Sequence, residues 1–222
     1  MSPSSLYPAS IARLALGSDP VRRAIYIAGM TPAVWYFYCG LVDELGADPQ
    51  KTLERVLGLW ALRYLIACLS ITPLRRLRGP NLLRYRRAVG LLAFYYASLH
   101  LGVYLLLDQG LDLVAIWADI VKRPFITIGL MAFVVLLPLA ATSNAAMIRR
   151  LGARWQRLHR FVYLAAVAAA AHFIMVVKAW PPEPLLYAGV LSALLLFRLR
   201  FIRKRVAAPM RGRNNLSMRQ AN

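Results

Sequence analysis

The clearest feature of the chain is a succession of long runs without charged residues. Most of them reach the roughly 17–25 residues that a helix needs to cross a hydrocarbon core about 30 Å thick. The pattern therefore predicts six transmembrane helices; the last run is short, so its helix needs Arg198 and Arg200, or the Ala179–Pro182 side, to reach full length. The runs are 24–42, 56–74 with Arg63 inside it, 88–107, 124–142, 161–177 and 184–197.

The segments between these runs alternate in charge. Basic residues number three before the first run, six between the second and third, five between the fourth and fifth, and eight from Arg198 to Arg219. Eight of the nine acids lie in the other loops, with few basic residues. Because cytoplasmic loops are enriched in Lys and Arg, the count predicts that both termini are cytoplasmic. Met1–Leu16 lacks the basic start of a cleavable signal peptide, so the first helix is expected to be retained.

Composition agrees with a membrane protein rather than a soluble enzyme. Of the 222 residues, 59% are apolar and 17% are charged, against about 45–50% and about 25% in soluble domains. The topology signal and contact with anionic lipid headgroups explain the net charge of +19, so no nucleic-acid partner is expected. Cys39 and Cys68 are expected on opposite sides of the membrane, which excludes a disulfide because bridged Cα atoms lie within about 7 Å.

All three histidines fall on the predicted spans or at their edges, where an ionisable residue marks a candidate site. His100 lies about 18 Å along the third helix and His172 about 21 Å along the fifth, at 1.5 Å per residue. Both helices run outward, so the two imidazoles are expected at a similar depth near the outer leaflet. Facing imidazoles on neighbouring helices are what a bis-histidine haem needs. The alternative is that each histidine is an interhelical hydrogen-bonding group.

The side chains of the segment just before His172 are unusually small. Ala165–Ala171 contains six alanines and one valine. Such a segment could make room for a flat macrocycle, or it could allow close helix packing.

His159 lies at the cytoplasmic end of the fifth helix, about 20 Å from His172 along the axis. It could ligate a second haem, although Arg87 occupies the corresponding place thirteen residues before His100. It could instead be an interface histidine that holds a lipid phosphate beside Arg157 and Arg160. A third interpretation is that this group binds a haem propionate, a flavin or a quinone headgroup.

Arg63 is an intramembrane charge near the centre of the second helix. Its insertion costs about 2.5–3.5 kcal/mol, which calls for a buried partner. No acid falls within any predicted span, so a haem propionate or backbone carbonyls are the expected partners.

The outer loop Leu111–Val121 alternates apolar residues with Asp112 and Asp119, which favours a short helix lying on the membrane surface. The sequence contains no dinucleotide-binding glycine motif, no P-loop and no HExxH. Its extramembrane segments are too short for a flavin or nicotinamide domain. If the chain moves electrons, the reductant and oxidant therefore belong to other molecules.

Several strings in a fixed order resemble the MsrQ family, also called YedZ, and more loosely the wider ferric-reductase-like transmembrane group. They are Arg86–His100, Lys122–Thr127, Pro138–Ser143 and Arg149–Gly152, followed by Trp155, Leu158–Arg160, His172 and Lys178. The similarity covers about residues 20–200, so the chain is expected to be one domain with a polar tail over 203–222. The end of that tail, from Arg211, is expected to be disordered.

The resemblance implies an all-α, six-helix b-type cytochrome of the bacterial inner membrane. It implies that electrons pass to the periplasmic molybdopterin enzyme MsrP, which reduces methionine sulfoxide in envelope proteins, so the catalytic centre is expected on the partner. One haem b or two would be held by His100, His159 and His172, with FMN as a further cofactor. The quinone pool or a cytosolic flavin reductase would supply the electrons.

The sequence also departs from related oxidases. It lacks the fourth histidine and the flavin and nicotinamide domain of NADPH oxidases and eukaryotic ferric reductases. Those departures count against direct oxidation of NADPH and against an inner haem with two histidine ligands. A stand-alone transmembrane ferric or quinone reductase is one alternative function. A transporter without a cofactor, in which Arg63 and the histidines form a proton or anion pathway, is another.

Overall fold

The computed structural model describes residues 20–177 and 182–219, and the side chains of 201–219 lie outside the description. All regular elements in this part of the chain are helical. The predictions for Met1–Leu16 and for 179–181 lie outside the described residues. The α-helices are α1 (Pro20–Leu41), α2 (Pro49–Arg76), α3 (Arg86–Val103), α4 (Leu113–Lys122), α5 (Pro124–Ala141), α6 (Ala145–Leu151), α7 (Ala153–Leu158), α8 (Val162–Val176) and α9 (Pro182–Arg219).

Six helical segments are long and apolar enough to cross a membrane, which confirms the number and positions predicted from the sequence. The third segment joins a 3₁₀ turn, α3 and a π-helical turn, and the fifth joins α7, a 3₁₀ turn and α8. The sixth extends through Arg198 and Arg200, as predicted. The backbone of α9 is helical to Arg219, and the expected disorder from Arg211 stays a prediction. The segments are Pro20–Leu41, Pro49–Arg76, Leu83–Asp108, Pro124–Ala141, Ala153–Val176 and Pro182–Arg200.

Contacts between helix termini define two ends of the bundle. At the acidic end, Arg55 near the start of α2 forms an ion pair of 3.4 Å with Glu183 at the start of α9. At the basic end, Cys68 of α2 donates to the backbone oxygen of Arg86 over 3.5 Å. The acidic end carries Asp43, Asp48, Asp108, Asp112, Asp119 and Glu183, and the basic end carries Arg75, Arg78, Arg84, Arg149, Arg150 and Arg160.

A tyrosine hydroxyl inserted into α1 ties the first three spans together. Pro32 lies inside α1, and at the next residue the amide of Ala33 donates to the hydroxyl of Tyr96 over 3.0 Å. The same hydroxyl donates to the backbone oxygen of Gly29 over 2.8 Å, and Tyr64 of α2 donates to that oxygen over 3.1 Å. Tyr96 thus replaces one bond of the helix ladder with a link to α3, and its side chain is fully buried.

Helix α2 contributes to both buried clusters of the bundle. One cluster joins Leu62, Leu65 and Leu69 to Ala93, Ala166 and Leu191. The other joins Leu53 and Leu57 to Ala33, Tyr96 and Val103. Large apolar side chains on the other spans, such as Ile27, Met131 and Leu164, are more than half exposed. This arrangement suits a bundle whose outer surface contacts lipid.

The amphipathic outer loop forms helix α4, which confirms the predicted helix. Asp112 caps its start by accepting from the amides of Val114 and Ala115. Asp119 forms a local ion pair of 3.3 Å with Arg123 and accepts from the hydroxyl of Tyr104, on the third span, over 3.4 Å. Leu113, Val114, Trp117 and Val121 are each more than 60% exposed, so the apolar face points away from the bundle.

The structure also bears on the predictions for the two cysteines and for acids within the spans. Cys39 and Cys68 are both free and buried, as expected. The expectation that no acid lies within a span is wrong, because α2 begins at Pro49 and therefore contains Glu54, which is half-buried. Asp48 caps this helix and Pro49 occupies its first turn, so the helix starts seven residues before the uncharged run.

Candidate functional site

His100 and His172 lie side by side within the bundle, near its acidic end. Their ring centroids are 6.0 Å apart, with 74° between the ring planes. His100 lies on α3 and His172 on α8, and both side chains are largely enclosed. The predicted match in depth between the two histidines is therefore confirmed.

His100 is oriented by the backbone of α2. Its Nδ1 lies 2.8 Å from the carbonyl oxygen of Glu54. Because a carbonyl can only accept, Nδ1 is the protonated nitrogen and Nε2 keeps its lone pair in the neutral ring. The ring packs against Gly58, where a Cβ atom would lie 3.1 Å from Nδ1.

His172 is oriented in the same way by α5. Its Nδ1 lies 2.7 Å from the carbonyl oxygen of Phe125, so here too Nε2 is the nitrogen with the free lone pair. The ring packs against Gly129, where a Cβ atom would lie 2.7 Å from Nδ1. The Phe125 ring is 6.4 Å from the imidazole and covers one side of it.

This arrangement fits a metal ion held between the two histidines. A metal–imidazole bond of about 2.0–2.1 Å and a further ~1 Å from nitrogen to ring centre give a centroid spacing of about 6 Å. The observed spacing is 6.0 Å. A hydrogen bond from the other ring nitrogen to a backbone carbonyl is the usual support of a metal-ligating histidine, because it fixes the tautomer and orientation of the ring.

No cluster of three or more His, Cys, Asp or Glu side chains exists in the described residues. A site formed by protein ligands alone therefore has little support. Two histidines would suffice to hold a group such as haem, which would bring the remaining ligands of its metal.

His159 lies at the basic end, in the 3₁₀ turn between α7 and α8. Its ring stacks on Trp155 with centroids 3.8 Å apart. Nδ1 lies 3.2 Å from the carbonyl oxygen of Trp155, and Nε2 lies 3.3 Å from Oγ of Ser143. Both ring nitrogens of His159 therefore have a protein partner, unlike those of His100 and His172 in the described part of the chain.

The position opposite His159 on α3 differs slightly from the one expected. Arg86 lies fourteen residues before His100 and, at 100° per residue, faces nearly the same side of α3, whereas Arg87 does not. Arg86 contacts the second span, where its Nη1 donates to Oγ1 of Thr72 over 3.4 Å.

Arg63 has a partner other than the two predicted. Its Nε donates to the hydroxyl of Tyr187 on α9 over 2.8 Å, and its guanidinium lies 5.1 Å from the ring of Trp60. Five residues separate Arg63 from Gly58, so the charge lies about 7.5 Å further along α2 towards the basic end.

The alanine segment before His172 allows close helix packing at its first turn. Ala165 and Ala166 are completely buried, and Ala166 contacts the cluster formed by α2, α3 and α9. Val167, in contrast, is half exposed. The packing interpretation therefore holds for Ala165 and Ala166, which lie seven and six residues before the histidine.

Sequence reasoning missed the groups that orient the two histidines. Gly58 and Gly129 are single glycines inside apolar helices, and the accepting groups of Glu54 and Phe125 are main-chain carbonyls. A carbonyl has no signature in a sequence. The available signal was a glycine on the membrane span that precedes each histidine-bearing span. That glycine becomes informative only when it is known which helices pack together.

The fold and the site together define a class of protein. It is a multi-pass helical membrane protein in which two histidines on neighbouring spans can bind one metal-containing group. A family model described as "Ferric reductase like transmembrane component" matches residues 57–170. Proteins from Brucella ovis, Brucella canis and Brucella suis are each 59% identical over 175 residues, 79% of this chain and 80% of theirs. Each is named protein-methionine-sulfoxide reductase heme-binding subunit MsrQ.

This chain therefore belongs to the MsrQ family of ferric-reductase-like transmembrane proteins.

Proposed function

We propose that this chain is a b-type cytochrome subunit that passes electrons across the bacterial inner membrane to the periplasmic molybdopterin reductase MsrP, for the repair of oxidised envelope proteins. The observation that carries the proposal is the pair of His100 and His172, whose ring centroids are 6.0 Å apart and whose Nδ1 atoms are held by backbone carbonyls. The names of the Brucella relatives support it. Methionine sulfoxide is reversible damage, and its repair outside the cytoplasm needs reducing equivalents that cross the membrane.

The residues proposed to hold the haem are His100 and His172, through their Nε2 atoms. A bound haem would accept and release one electron at a time. The cysteines support the b-type assignment over a c-type haem: Cys39 and Cys68 are isolated, and covalent attachment of haem needs a CxxCH motif. The surrounding spans largely enclose both imidazoles, which lowers the local dielectric.

The direction of transfer follows from the proposed orientation. The positive-inside rule assigns the basic end and both termini to the cytoplasm, so the His100–His172 pair lies towards the periplasm. MsrP would dock at the acidic end. A quinone or a cytosolic flavin reductase would deliver electrons at the basic end, where FMN is the proposed further cofactor.

His159 and Arg63 have roles that follow from this arrangement. His159 is the histidine at the basic end, and we propose it as the protein ligand of a second haem there. The competing role is a hydrogen-bonding histidine that holds an anionic headgroup with Arg157 and Arg160. Arg63 lies between the two ends, and we propose that its charge interacts with the haem held by His100 and His172.

A transfer experiment tests the function. The purified chain is reduced with dithionite in detergent, and reoxidation of its haem bands is followed after addition of MsrP with a methionine-sulfoxide peptide. We expect reoxidation to depend on both MsrP and the peptide. Reoxidation by chelated iron alone, at a rate that MsrP does not increase, would contradict the proposal.

That second outcome would support a stand-alone transmembrane ferric reductase. The match of residues 57–170 to a ferric-reductase-like model favours this candidate. The same assay with a quinone as sole oxidant tests quinone reduction. A preparation without any haem bands, from cells supplied with iron and haem precursor, would instead favour the cofactor-free transporter.

A further inference from the structure

We propose that Gly58 and Gly129 are positioning residues for the two haem ligands: each provides the opening through which a histidine reaches a carbonyl of the neighbouring helix. The inference rests on the proposed haem site and extends it to two residues that have no side-chain chemistry of their own.

The same local arrangement holds both histidines, on two different helices. On α2, the carbonyl of Glu54 accepts from His100, and Gly58 follows four residues later. On α5, the carbonyl of Phe125 accepts from His172, and Gly129 again follows four residues later. In both cases a Cβ atom on the glycine would meet Nδ1 of the histidine before any other atom.

Helix geometry explains the spacing of four. Each Cα–Cβ bond tilts towards the helix N-terminus, so the side chain of a residue covers the turn that precedes it. The carbonyl of residue i is therefore screened by the side chain of residue i+4. Glycine removes this screen and leaves the second lone pair of the carbonyl accessible from the side.

The two positions differ in how much space they leave. At Gly58 a Cβ atom would lie 3.1 Å from Nδ1 of His100, a tight contact. At Gly129 it would lie 2.7 Å from Nδ1 and 2.9 Å from Cε1 of His172, so the imidazole must move. We therefore expect Gly129 to tolerate alanine less well than Gly58.

The other membrane glycines do not contact a histidine. Gly90 shares the spacing with a thiol as donor: it follows four residues after Arg86, whose carbonyl accepts from Cys68, and an added Cβ atom would lie 3.4 Å from Sγ of Cys68. Gly189, on α9, has no heavy atom within 4 Å of an added Cβ atom. A glycine inside a helix costs about 0.5–1 kcal/mol relative to alanine, and at Gly58 and Gly129 the histidine contact offsets that cost. Gly189→Ala is therefore a matched control with the same change and no neighbour.

The test uses the full-length chain with Gly129→Ala, Gly58→Ala and Gly189→Ala, purified in detergent. Three properties are measured: the haem-to-protein ratio during haem titration, the low-spin EPR spectrum of the oxidised haem, and size-exclusion behaviour as a check on folding. We expect Gly129→Ala to weaken haem binding about 10- to 100-fold, as is usual when the support of a metal ligand is lost. Gly58→Ala should lose less than tenfold, and Gly189→Ala should match the wild type.

The EPR spectrum separates positioning from general packing. The largest g value of a bis-histidine haem depends on the angle between the imidazole planes, so a displaced His172 shifts it in whatever haem Gly129→Ala retains. A folded Gly129→Ala or Gly58→Ala protein with wild-type affinity and an unchanged spectrum would overturn the inference.

Three further outcomes are decisive. If Gly129→Ala does not fold, the spectrum of the milder Gly58→Ala variant decides alone. If the wild type binds haem normally and both variants do too, the positioning role fails while the proposed function stands. If the wild type binds no haem, both fail.

Discussion

The two ends of the bundle hold their histidines in opposite ways. At the acidic end, His100 and His172 each have one nitrogen fixed by a backbone carbonyl, and the rings stand 6.0 Å apart. At the basic end, His159 stacks on Trp155 and has a partner at both nitrogens. The comparison teaches that His100 and His172 each keep one nitrogen open for a metal, whereas His159 must first release Ser143 from its Nε2 to act as a ligand.

The groups that support the histidines also differ between the two ends of the bundle. The acidic-end pair draws its support from two different helices, α2 and α5, and both supports are main-chain atoms that no side-chain motion can remove. His159 draws support from the carbonyl one turn before it and from the hydroxyl of Ser143. Variants along the bundle can therefore test whether the two ends are independent.

The largest effect should come from Tyr96→Phe, one turn before His100 on α3. The change removes the hydroxyl that accepts from Ala33 and donates to Gly29, and it leaves a buried amide without its partner. We expect a loss of about 1–3 kcal/mol in unfolding free energy, together with weaker haem retention. Thermal unfolding in detergent measures the first and haem titration the second.

Tyr95→Phe is the matched control, because the hydroxyl of Tyr95 makes no hydrogen bond in the described part of the chain. Equal stability of the two variants would show that the link between α1 and α3 does not support the acidic end.

Arg63→Leu should have the next largest effect, because it removes a positive charge between the two ends. A nearby cation favours the reduced, less positive haem, so its loss should lower the midpoint potential. At roughly 10 Å and an effective dielectric of about 20, the effect is about 1–2 kcal/mol, or roughly 50–80 mV for one electron. Redox titration of the haem bands measures it.

Tyr187→Phe separates the charge of Arg63 from its hydrogen bond. This variant keeps the guanidinium and removes the hydroxyl that lies 2.8 Å from it, so the potential should stay close to that of the wild type. An unchanged potential and haem content in Arg63→Leu would rule out any interaction between Arg63 and the haem.

The smallest effect should come from Ser143→Ala at the basic end. It removes the hydroxyl beside Nε2 of His159. The same hydroxyl donates to the Leu139 carbonyl over 2.6 Å. We expect a loss of about 0.5–1 kcal/mol in stability. The haem held by His100 and His172 should keep its affinity and EPR spectrum, and a loss of that haem would show that the two ends are coupled.

The sequence alone predicted the six spans and the similar depth of His100 and His172. The bilayer thickness fixes the length of an apolar run, and the helix backbone fixes the rise per residue. The predicted start of α2 was too far along the chain. The helix begins earlier because Asp48 caps it and Pro49 occupies its first turn, so it includes a charged segment with Glu54. The sequence named neither Tyr187 as the partner of Arg63 nor the carbonyls that hold the histidines. Those contacts arise from the pairing of distant helices, which a single sequence does not encode in any local pattern.

The most direct test of the account is the haem-to-protein ratio of His100→Ala, His172→Ala and His159→Ala, measured by pyridine haemochrome on folded protein in detergent. The account predicts that His100→Ala and His172→Ala each lose the same haem. His159→Ala should keep that haem and lose at most a second, spectrally distinct one. Retention of the wild-type ratio in both His100→Ala and His172→Ala would contradict the central claim that these two residues grip one haem.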